Sequence, residues 1–548
     1  MTPATGFTSY ADALLAALAR DPSRTAVTVG EDGEEITAGA LHATVHRMAA
    51  VLAARGFGRG HTVCLLSGNR PEVLAARYAA GLLGARVVFL YDGMAAETLA
   101  RIAASVDTTL LLVDPDLHDT ARTLLHHLRG PLPEVMTLGE DVADPGADLG
   151  TGPGADLGTG PGADLGTGLG PDLLAACAAL PATPEVPSAA RPEDDWCIRH
   201  TGGTTGIPKG VRMRHAPYAR MVIHQRMEAA GDPPRFLACT PLAHLAGILA
   251  DATLVAGGTV VLHRAFDPTA VLAAVARHRI THLWLLPPLL YRLLDDPTLP
   301  TTDLSSLTRI SYGGCAASPT RLAQAAEAFG PVLFGLYGQS EAMSITEARP
   351  EDHLRTGPGG RITVGRALPG VTLAVRDADG RDLPAGERGE VHVRSAAVMN
   401  GYWKQPEVTA QVLQDDGWLR TGDVGVLDDE GRLYLVDRVK DLIIVVGGHV
   451  HPAEVEDLLH THPAVAHCAV YGVRGADEAE EVHAAIVAAP GHRVDADDLR
   501  AFVTEHKGTL YAPAAVRVLD TIPLTPVGKP DKALLRATAA TAATAATA

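Results

Sequence analysis

The sequence predicts an α/β protein: a large N-terminal domain of βα sheets, a small β subdomain and an α+β C-terminal domain. Three observations carry this. Between residues 26 and 336, apolar runs of strand length alternate with longer amphipathic stretches, the pattern of a parallel sheet with helical crossovers. From about Gly370 the alternation gives way to short β runs separated by turn signals, among them Asp379-Gly380 and Glu430-Gly431. Beyond Asp437 a segment of about a hundred residues remains, enough for a compact α+β domain.

Taken in order, residues 8–20 suggest an amphipathic helix, followed by a strand at 26–29. A helix over 38–55 ends at Gly56, a residue suited to the left-handed position after a helix. Strands at 62–66, 86–90 and 109–113 alternate with a helix at 71–83 and another after residue 90. Further strands are expected at 196–199, 235–240, 258–263, 282–285, 309–312 and 333–336. Residues 146–169 hold the octapeptide Gly-Ala-Asp-Leu-Gly-Thr-Gly-Pro three times, with Leu169 ending the last copy. Such a segment loses much chain entropy on ordering and buries little, so a disordered insertion is expected, with a three-copy binding array as the alternative. The charged run Arg438-Val439-Lys440-Asp441 lies between two β runs and is the candidate hinge. The boundaries are therefore 1–436 for the large domain, 437–440 for the hinge, 441–536 for the small domain and 537–548 for a frayed or weakly helical Ala-Ala-Thr tail.

With 548 residues the chain exceeds one ordinary domain and has ample apolar content for a large core. Its 46 Lys and Arg against 64 Asp and Glu give a net charge of −18, which argues against nucleic acid as a partner. Any anionic ligand must rely on local groups. The six cysteines are scattered, without zinc-type pairs or a disulfide framework, and fit a reducing compartment. There is no basic leader running into an apolar core and no run of eighteen apolar residues, so a soluble, cytoplasmic protein without a membrane span is expected.

The densest chemical signal is His200-Thr201-Gly202-Gly203-Thr204-Thr205-Gly206-Ile207-Pro208-Lys209-Gly210. Glycines let backbone N–H groups turn toward an anion, and hydroxyls with an ammonium complete a phosphate cradle. A flexible surface turn is the plain alternative. The common nucleotide loop has Gly-Lys followed by Ser or Thr and then a helix, whereas here Pro208 precedes the lysine and Gly210 follows it. Tyr337-Gly338-Gln339-Ser340-Glu341 follows a predicted strand, where open α/β sheets bind ligands. Thr421-Gly422-Asp423 offers a carboxylate for a ribose diol, and Gly528-Lys529 puts a lysine on a turn. Singly, Glu341 and Asp423 read equally as solvated turn carboxylates and Lys529 as a surface lysine.

Together and in this order, these motifs resemble the adenylate-forming superfamily of acyl-CoA synthetases, carrier-loading adenylation domains and luciferases. The resemblance runs from Phe7 to about Arg536, the octapeptide insertion apart. Gly386-Glu387-Arg388-Gly389-Glu390, Gly401-Tyr402, Asp437-Arg438-Val439-Lys440-Asp441 and Gly447 also match in order. The chain departs from the family at Gly202, often Ser, at Ser340, often Thr, and at His449, often Glu.

The resemblance implies activation of a carboxylic acid by ATP to acyl-AMP and pyrophosphate, then transfer to the thiol of coenzyme A. Thr201, Gly202, Gly203, Thr204, Thr205, Gly206 and Lys209 would hold the β- and γ-phosphates, and Glu341 would bind Mg²⁺. Tyr337, Gly338, Ser340 and Gly314 would meet the nucleotide, with Asp423 and Arg438 on the ribose. Lys529 would bridge the incoming carboxylate and the α-phosphate, and so is expected to be catalytic together with Thr201 and Glu341. Lys440 falls at the family hinge of a mobile C-terminal lid, and Gly447 with Gly448 beside the pantetheine tunnel.

Pro241-Leu242-Ala243-His244-Leu245-Ala246-Gly247 aligns with the segment that senses the acid. An α-amino acid needs a carboxylate there for its ammonium, but the position is Leu245, so a fatty or aromatic acid is favoured. His244 reads as a gate or as a packed histidine. Gly313, Cys315, Leu336 and Gly338 would line the acid pocket, with Cys315 as lining rather than nucleophile. The alternatives are acyl transfer to a carrier-protein phosphopantetheine or to an amine, activation of an unusual small acid, or an inactive relative serving as a binding protein.

Overall fold

The computed structural model describes residues 6–30, 33–90, 93–139, 169–201, 209–225, 227, 233–355, 357, 361–438, 443–445, 448–474, 480–526 and 528–547. The octapeptide copies up to residue 168, loop residues 202–208, Lys440 and Gly447 lie outside the described residues. The α/β expectation holds, and the chain packs as two compact units: Met1–Trp284 with Ser305–Thr308 and Met399–Thr409, and Leu285–Leu304 with Arg309–Val398 and Ala410–Ala548.

The first unit holds a six-stranded sheet in the order Glu134–Thr137, Leu110–Val113, Thr62–Leu66, Arg86–Leu90, Asp195–Thr201, Lys209–Arg214. The first five run parallel, and the three inner ones, Leu110–Val113, Thr62–Leu66 and Arg86–Leu90, are nearly continuous apolar runs, as strands covered on both faces require. The sixth is antiparallel, with Thr201 opposite Lys209. The parallel sheet expected from sequence is therefore mixed, because Lys209–Arg214 pairs antiparallel with the strand just before it in the chain. A second set of strands, Arg235–Ala238, Thr259–Leu262 and Thr25–Val29, is parallel, with Glu34–Thr37 antiparallel at its edge. Helix Tyr10–Arg20 is fixed by a capping box between Ser9 and Asp12. Helix Ala38–Ala54 ends as expected, with Gly56 at φ 86°.

In the second unit, Arg309–Gly313 pairs in parallel with Leu333–Gln339, which turns back into antiparallel Met343–Ala348. The small β subdomain is a four-stranded antiparallel sheet of Thr372–Arg376, Arg388–Arg394, Leu419–Leu427 and Leu433–Arg438. Gly380 and Gly431 sit at its turns with φ 81° and 75°. In the C-terminal α+β part, Glu480–Ala488 pairs antiparallel with Val465–Arg474 on one side and parallel with Ala515–Val518 on the other, covered by helices Pro452–Leu459 and Ala496–Lys507. The Ala-rich tail continues helix Lys532–Thr547, and Leu535 and Ala539 pack on Ala469, Tyr471 and Ala485. Alanine is the strongest helix former, and one apolar stripe is enough to dock its first turns.

Candidate active site

In the first unit, the stem of the Gly-rich hairpin is braced by the Gly401-Tyr402 motif. Trp403 N–H donates to the Gly210 carbonyl at 2.7 Å, Arg212 N–H to Gly401 at 3.1 Å, and Asn400 N–H to Arg212 at 3.0 Å. A β-carbon on Gly210 would lie 2.8 Å from Ile198 Cγ2 and 3.3 Å from Trp403 Cβ, so glycine is needed for this close approach. Thr201 and Lys209 are half-buried at the stem, with the Lys209 ammonium 5.1 Å from the centre of the Tyr402 ring. His200, just before the loop, is pushed down to about 4 by burial, which leaves it neutral. Gly202, Gly203, Thr204, Thr205 and Gly206 lie outside the described residues. His244 is the N-cap residue of helix Leu245–Val255, and both His244 and Leu245 are half-buried.

The second unit brings four motifs together. Tyr337 and Asp423 are 7% and 3% exposed, and the tyrosine hydroxyl donates to Asp423 Oδ2 at 2.7 Å. Asp423 is opposite Arg438 in the β ladder, and the Arg438 side chain lies outside the description. The turn before Asp423 is held on several sides. Thr421 Oγ1 donates to the Val391 carbonyl at 2.7 Å and accepts from Asp423 N–H at 3.1 Å. Glu390 accepts from Gly422 N–H at 3.2 Å and from Arg420 Nη2 at 2.7 Å. Burial alone would raise the Glu390 carboxyl, but hydrogen bonds with His392 and Arg420 overcome it and hold the group near about 2. Sequence reading assigned Glu390 no role; its only signal was its place at the end of Gly386–Glu390.

Gly314, at φ 88°, follows the strand Arg309–Gly313 in a conformation that favours glycine. A β-carbon there would lie 3.9 Å from Lys529 Cε, so the C-terminal lysine comes onto this strand end. Its turn is closed by Thr525 N–H to the Lys529 carbonyl at 2.7 Å and Gly528 N–H to the Thr525 carbonyl at 2.8 Å. Gly528, at φ 82°, has Leu286 Cδ1 at 3.5 Å and Leu289 Cδ1 at 3.6 Å from its would-be β-carbon. Leu336, Ser340 and Glu341 are half-buried along and just beyond Leu333–Gln339. Gly338 has a backbone reason of its own, since a β-carbon would lie 2.2 Å from the Met343 carbonyl oxygen. Gly448 pairs with Val445 in a short hairpin.

Cys315 is half-buried, while the other five cysteines are buried. Burial pushes the Cys64, Cys197 and Cys239 thiols up to about 12, which rules them out as nucleophiles near neutrality. Among the described residues no group of three or more His, Cys, Asp or Glu could cage a metal ion. A single carboxylate such as Glu341 suits magnesium, which is commonly held by one or two carboxylates and the phosphates of a substrate.

The lysine-bearing turn and the buried Asp held by a Tyr belong to the second unit, and the hairpin stem of Thr201 and Lys209 belongs to the first. Residues 14–403 match the AMP-binding enzyme family and residues 454–529 its C-terminal domain, and the chain belongs to this family of enzymes. The chain is 35% identical over 536 residues to the medium/long-chain-fatty-acid–CoA ligase FadD8 of Mycobacterium tuberculosis, covering 96% of this chain and 89% of that one. It is 32% identical to a feruloyl-CoA synthase of Amycolatopsis sp, over 93% and 94% of the two chains. Among solved structures it resembles the amide bond synthetase McbA of Marinactinospora thermotolerans, with TM-score 0.81 and 38% identity over 96% and 99%. Among the described residues no helix is long and apolar enough to cross a membrane.

Proposed function

We propose that the protein is an ATP-dependent acid–thiol ligase of the cytoplasm. It activates a fatty or aromatic carboxylic acid as acyl-AMP, releasing pyrophosphate, and passes the acyl group to the thiol of coenzyme A. The observation that carries this reading is the approach of Lys529 to Gly314, with Asp423 buried against Tyr337 in the same unit.

A carboxylate oxygen attacks the α-phosphorus, and the bond to the β-phosphate oxygen breaks as pyrophosphate leaves. Both reactants are anionic, so the requirement is charge neutralisation and an in-line geometry. Lys529 supplies a cation between the carboxylate and the α-phosphate. Asp423, held by Tyr337 and by its Thr421 turn, accepts from the ribose hydroxyls with Arg438 beside it. Thr201 and Lys209, with residues 202–206, take the terminal phosphates. Magnesium, held by Glu341 and the phosphates, would neutralise phosphate charge. In the second step the thiolate attacks the acyl carbon and AMP departs. Leu245, an apolar residue at the start of its helix, supports an acid without an α-ammonium. Names among the relatives, a fatty acid in one and ferulate in another, support the same substrate classes. The hinge at Lys440, with 441–536 as the lid that moves about it, and the tunnel beside Gly447 belong to this reading.

The test is acid-dependent ATP–pyrophosphate exchange across fatty, benzoic, cinnamic and amino acids, with coenzyme A present or absent and products read by mass. Exchange with one acid class plus a CoA thioester is expected. A second reading, transfer to an amine, is favoured by the 38% identity to an amide bond synthetase. An amide formed from an added amine in preference to the thioester would select it, and a thioester only with a phosphopantetheinylated carrier would select carrier loading.

A further inference from the structure

Helix Pro71–Leu82 is buried from Val73 to Leu82, yet it carries Arg77, only 1% exposed. The guanidinium pairs with Asp251, fully buried on helix Leu245–Val255. Asp251 also accepts from the Tyr78 hydroxyl at 2.8 Å and the Tyr218 hydroxyl at 2.6 Å. A buried ion pair is weak evidence for stability, because well-packed apolar residues of similar volume often replace it without loss. What the pair reaches is more informative. Arg77 Nη1 lies 3.5 Å from the Leu242 carbonyl oxygen, at the outer limit of a hydrogen bond. On the other side of the same residue, Asn69 Oδ1 accepts from Leu242 N–H at 2.9 Å. The Asn69 amide also donates to the Thr240 and His263 carbonyls, each at 3.0 Å.

Both backbone polar groups of Leu242 are thus met by side chains from residues 69–77, two positions before His244. Gly247 belongs to the same arrangement. A β-carbon there would lie 2.0 Å from the Leu242 oxygen and 2.4 Å from Arg77 Nη1, so only glycine lets carbonyl and guanidinium approach. This explains the glycine that ends Pro241–Gly247, and it places the clamp under the segment read as meeting the acid. Buried amides and ions that hold backbone groups act by fixing geometry, and small displacements near a reacting group are costly.

We infer that Asn69 and Arg77 are positioning residues for acid recognition: clamping Leu242 from both sides, they set where His244 and Leu245 stand. This rests on the acid-activating reading above. Disturbing the clamp changes affinity and preference for the acid and leaves ATP recognition, built from other segments, as it was.

The experiment measures pyrophosphate exchange, with separate KM values for acid and ATP, on wild type and three variants. Asn69→Ala removes all the amide contacts. Asn69→Asp keeps the size and the acceptor to Leu242 N–H but turns a carboxylate oxygen toward the Thr240 and His263 carbonyls, so it breaks that side of the clamp without emptying the site. The double variant Arg77→Met/Asp251→Leu replaces the ion pair by apolar groups of similar volume. The expected result is a rise in acid KM of about tenfold or more for Asn69→Ala. Asn69→Asp and the double variant shift in the same direction, the order of preferred acids changes, and ATP KM stays at the wild-type value. Folded variants with wild-type acid KM and preference would overturn the inference, as would acid and ATP KM rising together. Absence of acid-dependent exchange in wild type overturns the enzymatic reading itself and is distinguished by that control.

Discussion

The Tyr337 hydroxyl donates to the Asp423 carboxylate at 2.7 Å, with both side chains buried. The tyrosine expected to offer a ring face to a base therefore also orients the carboxylate expected to hold the sugar. Under the proposed function, one residue would couple the two halves of nucleoside recognition. Hydrogen bonds to a charged group contribute about 1.5–3 kcal/mol, enough to decide the rotamer of a buried Asp.

Tyr337→Phe keeps the ring and removes the donor. The expected outcome is a rise in ATP KM of about tenfold or more, with acid KM unchanged. Steady-state pyrophosphate exchange checks it. An unchanged ATP KM would show that the ring alone matters.

Lys529→Ala is expected to lower acid-dependent exchange by about 10²–10³-fold, since it removes one preorganised cation from the reacting phosphate. Thioester formation from supplied acyl-AMP is expected to survive. Gly447→Leu is expected to do the reverse, because under the proposed reading a side chain there would fill the thiol path. Rapid-quench assays of each half-reaction separate the two, and equal loss of both steps in both variants would refute alternation of the lid.

Glu390 titrates near about 2 in the folded protein, below the ordinary carboxylate value of 4.5. A depressed folded value contributes stability that is present above the unfolded value and is lost as pH falls from 4.5 toward 2. Glu390→Gln removes this contribution, so its melting temperature is expected to lie below wild type near neutrality and to converge with it in acid. Thermal melts between pH 7 and 3 measure the convergence, and parallel curves would sink the assignment.

Gly338→Ala puts a methyl group against the Met343 carbonyl, 2.2 Å from the ideal β-carbon position. Overpacking against backbone costs about 1–3 kcal/mol, so a lower melting temperature is expected along with reduced activity. A variant with wild-type melting and a selective change in acid preference would make Gly338 a pocket residue and not a hairpin requirement.

The βα alternation, the turn at Asp379-Gly380 and the end of the helix at Gly56 were legible in the sequence, because neighbouring residues encode them through periodicity and backbone preference. So were Thr201, Lys209, Tyr337, Glu341, Asp423 and Lys529 as candidates, since contiguous motifs carry their own chemistry. Sequence did not show that the strands flanking the Gly-rich loop pair antiparallel in a mixed sheet, or that helix Lys532–Thr547 packs through Leu535 and Ala539. Both depend on what else is available to pair with or cover the segment. Nor could it show that Tyr337 holds Asp423 across 86 residues, or that Asn69 holds Leu242 across 173. Local preference determined which residues could do chemistry; only the tertiary structure, by closing those long loops, decided which buried polar groups satisfy one another and so which residues hold the site in place.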